Sequence, residues 1–317
     1  MIITLTANPS LDRTVQLPAP LAVGEVQAAA SIREDAGGKG VNVARVLHAA
    51  GDAVTGILPL AEDDPYAHAL GALPVRAVAA SGRVRANLAI TDPAGTTTKL
   101  NLPGAPLGAP ERAALIDAVA DACAEGAAWL ALCGSLPPGA GDGFYVDVIR
   151  AVRERVAAPP RIAVDTSGPA LAAVVADGRP DLITPNEIEL AELSGLALDA
   201  GAPLAEAVAR VARALVPERV GAVLVTLGGD GAVLADADGA LAASVPTGIS
   251  VRSTVGAGDS ALAGFLHAHA AGASADERLR QAVRFGSATA ALPGTQLATP
   301  SDLPDGPVAV RPLDIDV

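Results

Sequence analysis

The sequence predicts an α/β fold in which a mainly parallel sheet is covered by helices on both faces and carries a small β-sheet lid at one edge. Three observations lead there. Short β-branched or apolar runs alternate with amphipathic, Ala-rich segments, the pattern of parallel strands joined by covering helices. Turns rich in glycine, hydroxyl and carboxylate groups follow several of these runs directly, which gathers them at the C-terminal edge of the sheet. Two stretches, about 13–35 and 83–103, break the rhythm with a half-exposed, period-two alternation.

Taken in order, the strand runs are 2–6, 54–58, 130–133, 162–165, 182–184 and 222–226, short and apolar enough to be buried on both faces. Helical periodicity covers 110–123, 143–156 and 204–215. A glycine turn at Gly37-Gly38 opens another helix that runs to about Ala50 and stops at Gly51; residues 261–271 form a last one, stopped by Gly272. The second irregular stretch turns at Asp92-Pro93-Ala94-Gly95, so the pair reads as a lid. No repeat, linker or charged tail interrupts the chain, and the Pro- and Asp-rich stretch from Thr299 is predicted irregular. One domain over 1–317, with the lid inside it, is the expectation.

Composition narrows the function. With 317 residues, 50% of them hydrophobic, the chain can bury a large core. A formal charge of −13 argues against nucleic acid or anionic membrane as a partner, since both need a basic surface, and an anionic substrate would need a local basic pocket. The first residues lack a basic signal region and no apolar run reaches the length of a membrane span, so a cytoplasmic location is expected. Cys123 and Cys133 have no metal-ligand spacing and read as buried small hydrophobes. Of 22 basic residues only Lys39 and Lys99 are lysines, which marks both for inspection.

The strongest chemical signal is Ser253-Thr254-Val255-Gly256-Ala257-Gly258-Asp259-Ser260 at the start of the last predicted helix. Gly256 and Gly258 let the backbone approach a ligand, and the free amides of the first helical turn favour an anion. The same field would keep Asp259 ionised and able to accept a proton. A plain N-cap explains the segment equally well in isolation. Gly37-Gly38-Lys39-Gly40-Val41-Asn42 makes a second anion-friendly helix start, although it lacks the Lys-Ser/Thr pair and glycine spacing of a Walker loop. Asp12, in Asn8-Pro9-Ser10-Leu11-Asp12 after the first strand, can accept hydrogen bonds from sugar hydroxyls or form an ordinary Asx turn.

Alternation puts Arg83, Arg85 and Asn87 on one strand face, where Arg85 is able to bind phosphate bidentately or simply be solvated. Cys133-Gly134-Ser135-Leu136-Pro137-Pro138-Gly139 and Asp165-Thr166-Ser167-Gly168 end two strands and read as shaping a site rather than doing chemistry. Asn186 and Glu189, three apart on a helix start, suit metal-bound water around phosphates; they equally suit a capping box. Thr226-Leu227-Gly228-Gly229-Asp230-Gly231 either admits a flat nucleotide or is a hairpin turn.

The ordered set Asn-Pro-x-x-Asp, Gly-Gly-Lys-Gly-x-Asn, Arg-x-Asn, Gly-Ser-Leu-Pro-Pro-Gly, Asp-Thr-Ser-Gly, Pro-Asn-x-x-Glu, Thr-Leu-Gly-x-x-Gly and Thr-x-Gly-Ala-Gly-Asp resembles the ribokinase-like (PfkB) sugar kinases over almost the entire chain. The resemblance is closest to the 1-phosphofructokinase and tagatose-6-phosphate kinase branch. It implies a three-layer α/β/α sheet of about nine strands, a β-lid that often forms a homodimer contact, and transfer of the ATP γ-phosphoryl group to a phosphorylated ketohexose. Carried over, Asp259 is the general base and Gly256, Ala257 and Gly258 form the anion hole. Asp12, Gly37, Gly38, Lys39, Asn42, Arg85, Asn87 and Ser135 bind the sugar phosphate, with Lys39 near Arg85. Thr226, Gly228, Gly231 and Thr254 border ATP, and Asn186 with Glu189 order Mg²⁺ through water, with no direct protein ligand to the metal. On this reading Asp259 needs no raised pKa. Thr184 and Ala89 depart from the family, which often has lysine at both places; Lys99 is a candidate to replace the second. Fructose 1-phosphate is the expected acceptor, with tagatose 6-phosphate, fructose 6-phosphate, an unphosphorylated ligand, or a non-catalytic sugar-phosphate sensor as the alternatives.

Overall fold

The computed structural model describes residues 1–315. Fourteen strands are present among them: β1 Ile2–Thr6, β2 Ser10–Gln16, β3 Ser31–Gly37, β4 Val54–Leu60, β5 Val75–Ala79, β6 Arg85–Thr91, β7 Thr97–Asn101, β8 Trp129–Cys133, β9 Arg161–Asp165, β10 Leu182–Ile183, β11 Ala222–Thr226, β12 Ala232–Asp236, β13 Gly239–Ala243 and β14 Val310–Pro312. Ten of them make one sheet in the order β14-β13-β12-β11-β10-β9-β8-β1-β4-β5. From β5 to β11 every pairing is parallel; β12, β13 and β14 extend the sheet in antiparallel fashion.

Alternation along the parallel strands builds two cores. Leu130 and Leu132 of β8 enter one apolar cluster with Leu115, Val119, Val148, Ile149 and Val208, while Trp129, Ala131 and Cys133 enter another with Val41, Leu47, Leu262, Leu266 and Leu279. The first set comes from α3 (Ala109–Ala124), α4 (Phe144–Arg155) and α7 (Leu204–Arg213), and the second from α1 (Lys39–Ala49), α8 (Ala257–Ala270) and α9 (Ala275–Ala290). Three layers follow, and the strand ends that carry the motifs fall on one edge. The remaining helices are α2 Tyr66–Ala69, α5 Gly168–Ala173 and α6 Glu187–Ser194.

The second sheet has the order β3-β2-β6-β7, with β2 and β6 parallel and the outer pairs antiparallel. It begins at Ser10, so Asp12 sits within β2 of this sheet rather than at the end of β1. Arg83 precedes β6 and lies outside the alternation that starts at Arg85. The Asp92–Gly95 turn closes β6 onto β7, with the Gly95 amide donating to the Asp92 carbonyl at 3.0 Å. The stretch after Thr299, expected to be irregular, contains a short turn and then β14, which pairs with β13. Pro312 is compatible with this because β14 is an edge strand, where a missing donor is tolerated. Both cysteines are buried and free, and among the described residues no helix is long and apolar enough to cross a membrane.

Candidate active site

Asp259 stands in the first turn of α8 and is only 5% exposed. Gly256 caps the helix at φ 77°, and a Cβ there would also come within 2.6 Å of Leu297, so the position admits only glycine without rearrangement. The amide of Ser260 is the first to join the helical ladder, bonding Gly256 O at 2.9 Å; those of Gly258 and Asp259 have no backbone acceptor among the described residues. Gly258 faces open space. These amides and the helix dipole make a cradle for an anion.

Asn42, on α1, donates through Nδ2 to Asp259 Oδ2 at 2.7 Å. Three residues earlier on the same helix, the Lys39 ammonium reaches Asp165 Oδ1 at 2.8 Å. Asp165 ends β9, is 4% exposed, and faces Asp259. Burial first, then the charge of Asp165, push the Asp259 carboxyl up to about 7, against the opposing pull of Lys39 and Asn42. The expectation that the helix field keeps Asp259 ionised leaves out its burial and the facing Asp165 carboxylate, both of which favour the protonated form. Lys39 behaves in the opposite way: burial works against its charge, but Asp165 and Asp259 outweigh it and hold the ammonium above its usual range.

Lys39, Asp165, Thr184, Asn186, Glu189, Thr226, Gly228, Gly231, Thr254, Ala257 and Gly258 line one cleft of about 500 Å³, a size suited to a small organic ligand. Ile249, Val251 and Val283 supply an apolar wall on its far side. Asn186 and Glu189 form the capping box of α6: Asn186 Oδ1 accepts the amides of Ile188 and Glu189 at 2.9 and 2.8 Å, and Glu189 Oε2 accepts the Asn186 amide at 3.0 Å. The other side-chain ends of both residues are left to the cleft. The Thr184 hydroxyl is buried without a partner. Gly228–Asp230 form a tight turn that returns β11 into β12, so the Gly-rich segment is both a hairpin and a cleft wall.

A second group of residues gathers on the small sheet. Asp12 Oδ1 accepts from Ser10 Oγ at 2.8 Å and from Asn87 Nδ2 at 2.9 Å, across the β2–β6 register that sets Asp12 beside Asn87 and Ser10 beside Arg85. Burial raises the Asp12 carboxyl, while these bonds and the Arg85 charge hold it down, leaving it above its ordinary value. Arg85 Nε and Asn87 Oδ1 are buried with no hydrogen-bond partner among the described residues. Gly37 packs its α-carbon so tightly on the Asp12 carboxylate that any Cβ would overlap it. The same residue's carbonyl accepts the buried Tyr66 hydroxyl at 2.6 Å. The corner from β3 into α1 thus touches Asp12 at Gly37 and Asp259 at Asn42. Lys39 turns toward Asp165 and the cleft, not toward Arg85. Ser135 is exposed on the rim, accepting from Asn8 Nδ2 at 3.2 Å. Lys99 lies directly opposite Ala89 in the β6–β7 register.

The sequence matches the pfkB family of carbohydrate kinases over residues 6–302. The chain belongs to the pfkB family of carbohydrate kinases. Relatives agree: it is 38% identical over 307 residues to 1-phosphofructokinase of Rhodobacter capsulatus, covering 95% of this chain and 94% of the relative. ATP-dependent 6-phosphofructokinase isozyme 2 of Escherichia coli is 33% identical across 95% of this chain and 96% of its own length. The crystal structure of phosphofructokinase-2 from Escherichia coli in complex with fructose-6-phosphate superposes with a TM-score of 0.84 at 31% identity, over 95% of this chain and 96% of that one.

As a member, the kinase is a phosphotransferase that acts on a hydroxyl group, with ATP as the phosphoryl donor. Phosphoryl transfer asks the protein chiefly to align two reactants and neutralise charge, and the site has parts for both. Sequence reasoning missed two contributors. Asp165 was read as part of a shaping turn, because nothing local reveals a partner 126 residues away at Lys39. Tyr66, which holds the Gly37 carbonyl, lies in a four-residue helix without a motif.

Proposed function

We propose that this kinase is a 1-phosphofructokinase, transferring the γ-phosphoryl group of ATP to the free terminal hydroxyl of fructose 1-phosphate to give fructose 1,6-bisphosphate and ADP. The observation that carries the reading is the buried Asp259 at an amide-lined helix start, tied by Asn42 to the corner that backs the Asp12–Asn87–Arg85 pocket. Orphaned polar atoms on Arg85 and Asn87 supply a phosphate ligand and a hydroxyl ligand in that pocket. The substrate name rests on the likeness to 1-phosphofructokinases.

In the transfer step Asp259 accepts the hydroxyl proton as the sugar oxygen bonds to the γ-phosphorus and the bridge to the β-phosphate breaks, leaving ADP. The amides of Gly256, Gly258 and Asp259 hold the charge on the moving phosphoryl oxygens, whereas that of Ala257, expected to join them, bonds the Thr254 carbonyl at 3.4 Å. Asp12 and Asn42 orient the sugar, with Gly37 and Gly38 allowing its close approach and Ser135 at the rim. Arg85 binds the phosphate that the sugar already carries, and Lys39, from the cleft wall, serves the transferring phosphoryl group. Thr226, Gly228, Gly231 and Thr254 border the nucleotide.

Among the described residues no cluster of three His, Cys, Asp or Glu side chains is able to cage a metal. Asn186 and Glu189 line the cleft and would order the water of a Mg²⁺ held by phosphate oxygens, which would supply charge neutralisation. We read the chain as one domain with a lid, working in the cytoplasm as a homodimer through the small sheet. One face of that sheet carries Asp12, Arg85 and Asn87; the other presents Ile32 and Leu100, 61% and 52% exposed. Such a face suits a second copy.

The test is ADP release with fructose 1-phosphate against unphosphorylated fructose. Strong preference for the phosphate supports the pocket as drawn; equal use of fructose contradicts it.

A further inference from the structure

The Asp-Thr-Ser-Gly turn after β9 brings a second buried acid to the transfer centre, and the chemistry so far gives it no task. Asp165 is anchored: its carbonyl accepts the Gly134 amide at 2.7 Å, and Thr166 Oγ1 and Tyr145 Oη both donate to the Gly134 carbonyl at 2.9 Å. Its side chain is 5% exposed, and among the described residues its one ion-pair partner is Lys39. Burying an acid beside another acid is unfavourable unless other contacts compensate, so the juxtaposition is not expected of a turn that only shapes a wall. Lys39, by contrast, keeps its side chain 42% exposed and lines the cleft alongside Asp165. The ammonium is thus held by a fixed carboxylate at the place where a phosphate chain would pass.

We propose that Asp165 is a positioning residue for phosphoryl transfer: it fixes the Lys39 ammonium at the cleft wall, beside Asp259, where the transferring phosphoryl group would pass. This rests on the kinase reading above. The groups facing Asp259 are Asp165 from the end of β9, Lys39 and Asn42 from α1 and the Cys133 thiol from β8; Glu189, from α6, acts on Lys39. Asp165 and Lys39 push Asp259 in opposite directions, so their removal has opposite signs. Loss of the Asp165 charge lets Asp259 ionise at lower pH, and loss of the Lys39 charge delays ionisation to higher pH.

The experiment is the pH dependence of kcat/KM for the phosphosugar in the wild type, Asp165→Asn, Asp165→Glu and Lys39→Met, with thermal melts alongside. Asp165→Asn should move the acidic limb down by about one pH unit and lower kcat by about tenfold, the scale of a displaced cation at the reacting group. Asp165→Glu should restore the limb, and Lys39→Met should move it up. If Asp165→Asn fails to fold, the Lys39→Met shift alone decides. A limb that stays at the wild-type pH in both variants, whatever the melting temperatures do, overturns the inference and leaves the kinase reading intact. Wild-type protein that releases no ADP with any phosphosugar overturns the kinase reading and the inference with it.

Discussion

A carboxylate that is 5% exposed and faces a second carboxylate keeps its proton to an unusually high pH, and at Asp259 that becomes a measurable property of the reaction. The base must be ionised to accept the hydroxyl proton, so kcat/KM should rise with pH through about 7 and level off above it. Asp259→Asn should cut turnover by at least about a hundredfold while ATP still binds; near-normal turnover would remove Asp259 from the mechanism. Stability moves the other way. The folded-state value lies above the unfolded one, so the stabilising contribution of Asp259 is full in acid and is lost as pH rises through about 7. At pH 8 the Asn variant should therefore melt no lower than the wild type. Arg85→Ala should weaken phosphosugar binding by about 2 kcal/mol and leave the KM for ATP unchanged, since Arg85 pairs with Ser10 on the small sheet beside Asp12 and does not line the cleft that holds Asn186 and Thr226. The position of Asp259 was legible because glycines followed by an acid at a helix start are a local pattern. Its proton affinity was not, because Asp165 ends a strand 94 residues earlier and meets Asp259 only where the fold gathers the strand ends.

The β3–α1 corner is the element that joins the two halves of the site, and its sharpest constraint is steric. A methyl group at Gly37 would overlap the Asp12 carboxylate, so Gly37→Ala should raise the phosphosugar KM by about tenfold or more with the KM for ATP nearly unchanged. Equal changes in both would mean that the corner acts through stability alone. Elements with a local period were readable: β1 and β11 fall where the apolar runs put them, and α1 ends at the glycine that stops it. The capping box of α6 shows how one pattern serves two readings, since Asn186 and Glu189 cap the helix and line the cleft at once. β14 escaped notice because edge pairing depends on where β13 lies, not on the propensity of a Pro-containing triplet. The β6–β7 register, likewise, is what sets Lys99 opposite Ala89.

Across the whole molecule, a chain with a formal charge of −13 carries Arg85 on the small sheet and Lys39 on the cleft wall, the local cations an acidic protein would need to bind anionic substrates. On the small sheet Asp12, Arg85 and Asn87 share one face, and the other presents the exposed Ile32 and Leu100 beside the Arg13–Glu34 ion pair. Ile32→Glu on the outward face should shift the protein from dimer to monomer in sedimentation; an unchanged dimer would place the contact elsewhere. The layer order and the motif edge were legible from the alternation of strand and helix runs. The choice of phosphosugar was not, because it depends on cations spread over strands that meet only in the folded lid. The most direct measurement is kcat/KM by ADP release for fructose 1-phosphate, fructose 6-phosphate and tagatose 6-phosphate side by side. Fructose 1-phosphate should lead by at least about tenfold, about 1.4 kcal/mol in transition-state binding; a clear preference for either of the other two would contradict the proposed 1-phosphofructokinase activity.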